Sequence, residues 1–160
     1  MSKIEIYALS TIEISNYIVV DINGLLIQLT VRSKKYSLKA IKKIIEQPNL
    51  YVLGVFDTYY DQMVGMASLK VVETRMFTQD YDAGFIGDVV VDKKYRGLGL
   101  GEKLITTLVE MAKGLKVTHI NLTSNPNNPE RASAIKLYEK LGFKKIGELN
   151  GSNYYRLDLK

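Results

Sequence analysis

The sequence predicts one mixed α/β domain, in which helices flank a mixed β-sheet. Three observations support this fold class. Runs typical of β-strands are interspersed with segments of helical periodicity. Clusters of glycine, proline and asparagine separate these segments. At 160 residues the chain is long enough for one domain with a sizeable core and short for two, so we expect residues 1–160 to form a single domain.

The first half of the chain is predicted to contain, in order, a strand, two helices and two strands. Alternating apolar residues indicate the strands, and apolar residues on one face indicate the helices. Gly24 is a weak point of the first helix, Ser37 is a suitable N-cap for the second, and Pro48 ends it. The predicted segments are a strand at Lys3–Leu9, helices at Thr11–Leu29 and SLKAIKKIIEQP, and strands at Leu50–Phe56 and Met63–Glu73.

The second half is predicted to alternate strands with helices and to close with a hairpin. Leucines recur every four residues after Leu100, in a helix that Gly114 ends. Asn128 is a suitable N-cap for the next helix, and Gly142 ends it. The other predicted segments are a polar and aromatic loop at Thr74–Ala83, strands at Gly84–Val91 and Lys116–Ser124, and a hairpin of FKKIGEL and NYYRLDL.

Composition narrows the classes of function. The net charge is +5, cysteine is absent and His119 is the single histidine, which excludes disulfides and a cysteine nucleophile and disfavours a histidine metal cage. The sequence lacks an apolar run of the roughly 18 residues that a membrane span needs, and its start lacks a signal-peptide pattern. Without a nucleic-acid-binding signature, the basic surplus is interpreted as a solvated surface. We therefore expect a cytoplasmic protein with no metal, nucleic-acid or membrane partner.

The segment VVVDKKYRGLGLGEKL places glycines at 97, 99 and 101 between a β-branched strand and a helix. The first backbone N–H groups of a helix lack partners, and glycine lets the chain approach an anion closely, so this layout indicates a phosphate site. Arg96 could add a charge-assisted hydrogen bond. The Walker pattern and the dinucleotide G-x-G-x-x-G pattern both fail, because residue 102 is glutamate.

Two linked motifs in this chain resemble the signatures of the GNAT superfamily of N-acetyltransferases. Arg96–Gly101 is similar to the Arg/Gln-x-x-Gly-x-Gly/Ala signature for acetyl-CoA, and ASAIKLYEKLGF is similar to the second signature, a helix with Leu-Tyr that ends at Gly-Phe. A bacterial subgroup of this superfamily is more closely similar to three segments of the chain: IGDVVVD, LTSNPNNPERASAIKLYEKLGF and SNYYR. Glucosamine-phosphate N-acetyltransferases are similar to part of the chain. The resemblance implies an acetyl-CoA-dependent N-acetyltransferase whose sheet splays between the strands at 84–91 and 116–124.

The resemblance also assigns contacts with acetyl-CoA as the cosubstrate. The strand backbone would hold the pantetheine arm, with a valine amide polarising the thioester carbonyl, and the glycine loop would grip the pyrophosphate. Arg131 would touch coenzyme phosphate or substrate, with an exposed first-turn arginine as the alternative. The implied coenzyme-binding residues are Val89, Val90, Val91, Arg96, Gly97, Leu98, Gly99, Leu100, Gly101, Asn125, Arg131 and Tyr138.

Catalytic roles follow from the same resemblance, with one departure from the pattern. Tyr138 would stand beside the coenzyme sulfur, either as a hydrogen-bond donor to the thiolate or as an acid with a lowered pKa; a core tyrosine is the alternative. The family's glutamate is replaced by Gly87, which cannot accept a proton. Asp88 is the nearest carboxylate, but strand alternation turns it away unless a β-bulge re-aims it. Glu73 or a chain of waters are the alternative proton acceptors.

The acceptor is expected to be an amine, and two segments are expected to select it: Thr11–Gln47 and Thr74–Ala83. Asn153 and Tyr155 match the subgroup and are predicted to line the acceptor pocket, with an ordinary edge strand as the alternative. Two other functions stay open: a non-catalytic acyl-CoA-binding sensor, and an enzyme that acetylates lysines or N-termini of proteins. The superfamily's frequent dimers also leave a homodimer open.

Overall fold

The computed structural model describes residues 3–73 and 82–160. Most of the predicted loop Thr74–Ala83 therefore lies outside the described residues, as does the side chain of Glu73. The described residues form a mixed α/β fold with a seven-stranded sheet and four α-helices. The elements are β1 (Ile4–Ala8), α1 (Asn16–Leu29), α2 (Leu38–Ile45), β2 (Leu50–Asp57), β3 (Gln62–Glu73), β4 (Asp82–Val91), α3 (Leu100–Gly114), β5 (His119–Ser124), α4 (Ala132–Lys140), β6 (Lys144–Leu149) and β7 (Ser152–Asp158).

The sheet has the order β1-β2-β3-β4-β5-β7-β6, and its one parallel pair separates two antiparallel halves. β4 and β5 pair over only three positions, from Ala83 with His119 to Phe85 with Asn121. β5 instead stays paired with β7 as far as Ser124. The two halves therefore diverge beyond Phe85, which confirms the predicted splay of the sheet.

Apolar residues pack on both faces of the sheet. Alternation along β2 directs Leu53 and Val55 into a core with α3 and α4, while Val52 and Phe56 face α1 and α2. This second core is completed by the helices on the N-terminal side of the chain, which the sequence singles out as the acceptor-selecting segment. Among the described residues, no helix is long and apolar enough to span a membrane.

Two helices begin later than the sequence predicts, and side-chain caps explain both differences. α1 begins at Asn16 rather than Thr11, because the Ser15 hydroxyl accepts a hydrogen bond from the Ile18 amide (3.3 Å) and fixes the first turn there. The predicted cap Asn128 does accept from the Glu130 amide (3.0 Å), but it opens a short 3₁₀ turn, and α4 begins only at Ala132.

Candidate active site

A β-bulge in β4 lies at the point where the sheet opens. Ser68 of β3 pairs with Gly87 and Met66 pairs with Val90, so one residue of β3 stands opposite both Asp88 and Val89. Asp88 has φ of 52°, a left-handed conformation that is uncommon for a residue other than glycine. The Ser68 hydroxyl donates a hydrogen bond to Asp88 Oδ2 (3.0 Å). The bulge therefore breaks the alternation that would turn Asp88 away.

Three cavities adjoin along this bulge, and we name them by their position. The loop cavity, about 270 Å³, lies beside the glycine loop. The splay cavity, about 400 Å³, lies between the separated ends of β4 and β5. The apolar cavity, about 120 Å³, lies under α1 and α2. Val89 and Tyr138 line both the loop and the splay cavities, and Asp88 lines both the splay and the apolar cavities.

The glycine loop presents backbone amides to the loop cavity. Gly97 and Gly99 have φ of 81° and 74°, conformations in which an L side chain is strained. A Cβ at either position would stand in open space rather than meet protein atoms within 4 Å. Gly99 is the N-cap of α3, and the Lys103 amide is the first to donate into the helix, to the Gly99 carbonyl. The preceding amides can therefore bind an anion.

The other residues of the predicted coenzyme loop divide between cavity and surface. Gly101 and the buried Leu100 line the loop cavity, whereas the Leu98 side chain is 65% exposed. Arg96 folds back, because its Nε donates to the Val91 carbonyl (3.1 Å). One guanidinium nitrogen of Arg96 lies 3.8 Å from a Glu130 carboxylate oxygen. Arg96 therefore lies at the cavity with its guanidinium held near the strand end.

The predicted strand contacts lie along one wall of the same cavity. Val89, Val90 and Val91 all line the loop cavity. On their other side Val90 and Val91 pair with Met66 and Gly65 of β3. Since pairing with β5 ends at Phe85, the outer edge of this part of β4 faces the cavities. That edge can pair with an extended ligand as an added strand does.

Arg131 and Asn125 lie on the opposite wall. Arg131 lines both the loop and splay cavities, and its guanidinium donates to the Leu29 carbonyl (2.8 Å), which ties the end of α1 to the start of α4. Arg131 is half-buried, whereas the alternative to a coenzyme or substrate contact is an exposed arginine. Asn125 lines the splay cavity, where its Oδ1 accepts from the Asn127 amide (2.9 Å) and shapes the turn after β5.

Tyr138 combines the two interpretations that the sequence leaves open. Its ring is 4% exposed and packs against Phe143 and Tyr155, with centroids 6.0 and 6.4 Å away. The residue nevertheless lines the loop and splay cavities. Burial raises the pKa of Tyr138 above its ordinary value, and the nearby Arg131 charge opposes part of that rise. A phenol that stays protonated fits the role of hydrogen-bond donor to the thiolate better than the role of an acid with a lowered pKa.

The structure corrects the prediction that Tyr155 lines an acceptor pocket. Tyr155 is only 1% exposed and lies in the core beneath Tyr138. Its hydroxyl accepts a hydrogen bond from Asn153 Nδ2 (3.2 Å), so Asn153 serves the same buried contact. The physical reason is strand register, since Leu122 of β5 pairs with Tyr155 in the middle of the sheet. The neighbouring Ser152, at the start of β7, lines the splay cavity instead.

Several positioning contacts join segments far apart in the sequence, and no local pattern could have indicated them. Gln28 of α1 donates to Asp92 Oδ2 (2.9 Å) and accepts from the Lys93 amide (3.0 Å). The fully buried Asp57 accepts from the Tyr95 hydroxyl (2.9 Å). Both contacts hold the 3₁₀ turn that leads into the glycine loop. The Ser68 contact to Asp88 likewise depends on the β3–β4 register.

The chain is similar to known acetyltransferases. The model of the Acetyltransferase (GNAT) family matches residues 23–143. A glucosamine 6-phosphate N-acetyltransferase of Trypanosoma brucei brucei is 36% identical over 83 residues, 52% of this chain and 52% of that protein. The spermine/spermidine N(1)-acetyltransferase of Bacillus subtilis is 38% identical over 61 residues, 38% of each chain. The match thus spans about half the length of the first of these curated relatives and less of the second.

Likeness in three dimensions extends over nearly the whole chain. A crystal structure of a Trypanosoma brucei acetyltransferase superposes with a TM-score of 0.74 at 27% sequence identity, covering 98% of this chain and 100% of that one. The two signatures that carry the resemblance in the sequence lie at the glycine loop and at Tyr138, which face each other across the loop cavity.

Proposed function

The chain belongs to the GNAT acetyltransferase family, and we propose that it is an acetyl-CoA-dependent N-acetyltransferase that acts on a primary amine. One observation carries the proposal most directly. The bulge places Asp88 and Val89 side by side where the three cavities meet. A proton acceptor and a backbone edge for the thioester are therefore within one residue of each other, although the family's glutamate is replaced by Gly87.

The loop cavity fits the phosphate end of the cosubstrate. Its floor is the N-terminus of α3, where unpartnered amides and the helix dipole favour an anion. The space that a Cβ at Gly97 or Gly99 would occupy is open, as close approach of a phosphate requires. Arg96 and Arg131 add two guanidinium groups at the walls. These four features support acetyl-CoA as the cosubstrate.

We assign the pantetheine arm to the open edge of β4. Val89 and Val91 present their backbone to the loop cavity on the side away from β3. An amide of this edge would donate to the thioester carbonyl oxygen as negative charge develops there. Removing such a donor typically raises a barrier by about 3–4 kcal/mol.

The reaction needs a proton acceptor and help for the leaving group. Acetyl-CoA supplies an activated acetyl group: the amine nitrogen bonds to its carbonyl carbon, and the carbon–sulfur bond breaks to release the thiolate of coenzyme A. Asp88 accepts the proton that the nitrogen loses as the new bond forms, with Ser68 holding one carboxylate oxygen in place. The Tyr138 hydroxyl donates a hydrogen bond to the thiolate, since its raised pKa keeps the phenol protonated.

We further propose a cytoplasmic location, because the chain has no cysteine to form disulfides. Catalysis as described uses residues of one chain, so the mechanism requires no second copy.

Asp88→Asn tests the proposed role without disturbing the bulge, because the asparagine oxygen can still accept from Ser68. Release of coenzyme A thiol on a panel of primary amines should fall about 10²- to 10⁴-fold, the usual contribution of a general base. The thermal shift that acetyl-CoA produces should be unchanged. If the wild type binds acetyl-CoA but releases no thiol with any amine, the chain is an acyl-CoA sensor instead.

A further inference from the structure

We propose that the acceptor is a primary monoamine with a compact apolar body, which occupies the apolar cavity while its nitrogen meets Asp88. This inference rests on the proposed acetyl transfer and names the class of its acceptor. The relatives are named for a sugar phosphate and for polyamines. The cavity in this chain suits neither of these chemistries.

The walls of the apolar cavity are hydrocarbon. Ile22 and Leu26 of α1 form one side, Ile41 and Ile45 of α2 form another, and Met66 of β3 forms the floor. Its volume of about 120 Å³ is well below the 300–1,000 Å³ usual for drug-sized ligands. Among the described residues that line it, none is a lysine or arginine that could hold a phosphate. A short branched or cyclic hydrocarbon therefore fits best.

Asp88 and Ser68 form the polar end of the cavity. Asp88 is exposed and is the only acidic residue among the described residues that line the cavity. Ser68, which also lines it, donates to Asp88 Oδ2, and we assign the other oxygen to the amine. One carboxylate can hold one amino group, whereas a polyamine would bring a second positive charge into a hydrocarbon pocket at considerable cost.

The cavity is held open by polar contacts that fix its roof. Asn23, which is buried at 8% exposure, accepts from the Tyr36 amide (2.8 Å) and donates to the Tyr36 carbonyl (2.9 Å). This pair of bonds clamps the connection between α1 and α2, and Tyr36 itself lines the cavity. A pre-formed pocket of this kind is what a small apolar ligand requires.

An acyl chain longer than acetyl could also fill a hydrocarbon cavity next to Val89. The position of Asp88 favours the amine, because an acyl chain entering the cavity would pass a charged group without gaining a partner for it. An amine gains both contacts at once: the carboxylate for its nitrogen and the aliphatic walls for its body. The experiment must therefore distinguish a cavity that selects the acyl chain from a cavity that selects the amine.

The experiment compares acetylation of 3-methylbutylamine, glucosamine 6-phosphate and spermidine by the wild type and by Leu26→Phe, which fills the cavity. We expect kcat/KM for 3-methylbutylamine to exceed the other two by at least tenfold. Leu26→Phe should raise KM for 3-methylbutylamine at least tenfold and leave KM for acetyl-CoA unchanged. The matched control is Ile27→Phe, because the adjacent Ile27 side chain is 67% exposed on the outer face of α1. It should have no effect on either KM.

A second variant guards against a folding defect in Leu26→Phe. Ile44→Ala enlarges the cavity from a half-buried position and should lower KM for the bulkier 2-phenylethylamine. A preference for glucosamine 6-phosphate or spermidine would overturn the inference and leave the proposed function intact. A change in selectivity between acetyl- and butyryl-CoA, without a change in amine KM, would also overturn it.

Failure of the proposed function gives a different result. If none of these amines is acetylated, acetyl transfer to them is excluded, and a binding measurement then tests the role of the cavity. The apolar amine site would still be supported if 3-methylbutylamine stabilises the wild type against heat in the presence of coenzyme A. This stabilisation should be lost in Leu26→Phe and kept in Ile27→Phe. Absence of any stabilisation would overturn it.

Discussion

Gly99→Ala tests whether the glycine loop is shaped for backbone conformation and phosphate approach. Gly99 has φ of 74°, and placing an L residue in this left-handed region costs about 1–2 kcal/mol. A chain of this length loses roughly 2–4 °C in Tm for each kcal/mol, so Tm should fall by about 2–8 °C. Gly114→Ala is the matched control, because Gly114 is a helical residue of α3 with open space around its Cβ position. That change should stabilise the protein by about 0.4–1 kcal/mol.

The same variant should also weaken binding of coenzyme A, because the new methyl group would stand in the space over the amides of α3. At a hundredfold excess over Kd, a ligand adds about 2.7 kcal/mol of stability. A tenfold loss of affinity would lower that increment to about 1.4 kcal/mol at the same concentration. Thermal unfolding with and without coenzyme A measures both effects in one experiment.

The refuting result is equally specific. If Gly99→Ala and Gly114→Ala have the same Tm and the same response to coenzyme A, the positive φ of Gly99 is not needed for stability and the glycine loop does not bind the coenzyme. The phosphate site would then have to be placed elsewhere, and the coenzyme contacts assigned to the loop would fall with it.

Three further predictions concern side chains around the site. Tyr138→Phe keeps the buried ring but removes the hydroxyl that would donate to the thiolate. In steady-state assays kcat should therefore fall about 10- to 100-fold, while the thermal shift caused by the coenzyme should persist. An unchanged kcat would show that Tyr138 is a core residue only. Burial, together with the bond to Asp57, raises the pKa of Tyr95 to about 12. Because this pKa is raised on folding, the stabilisation is complete below pH 10, the ordinary tyrosine value, and is lost as pH rises through about 12. In denaturant unfolding at neutral pH, the free energy of unfolding of Tyr95→Phe should be about 1–3 kcal/mol lower than that of the wild type. As pH rises above 10, this free energy should fall less steeply in the variant than in the wild type. Equally steep falls in the two proteins would contradict the role of Tyr95. Gln28→Ala should raise KM for acetyl-CoA several-fold by releasing the turn before the glycine loop, and an unchanged KM would count against a positioning role.

The sequence predicts the features that depend on local chemistry. The Ser37 hydroxyl caps α2 by accepting from the Ala40 amide (3.2 Å), as expected for a serine before an amphipathic segment. Gly97 and Gly99 adopt positive φ values, as suits glycines in a turn that leads into a helix. The fold class also follows, because the order of strands and helices restricts the topology. The splay is implied only by the resemblance to the GNAT superfamily, and the pairing of β4, β5 and β7 confirms it.

The parts that the sequence could not settle depend on register and on distant contacts. Strand alternation alone directs Asp88 away from the site, and only the mismatch between Ser68–Gly87 and Met66–Val90 reveals the bulge. Tyr155 looks like a site residue in the sequence, yet its pairing with Leu122 places it in the core.

The same holds for the apolar cavity. Its walls come from α1, α2 and β3, and no periodicity within one helix shows that facing side chains leave a gap. Hydrophobic positions in a sequence predict which side chains are buried. Whether those side chains fill the space between the helices and the sheet depends on how the elements pack together.

Product analysis tests most directly whether this chain transfers acetyl from acetyl-CoA to an amine at the β4 bulge. Wild type and Asp88→Asn would each be incubated with acetyl-CoA and a mixture of primary amines, followed by mass spectrometry and thiol quantification. We expect an acetylated amine in a 1:1 ratio with coenzyme A thiol, and we expect at least a hundredfold less of both from Asp88→Asn at equal coenzyme binding. Equal product from both proteins would contradict the role of Asp88, and coenzyme binding without any acetylated amine would contradict the transferase itself.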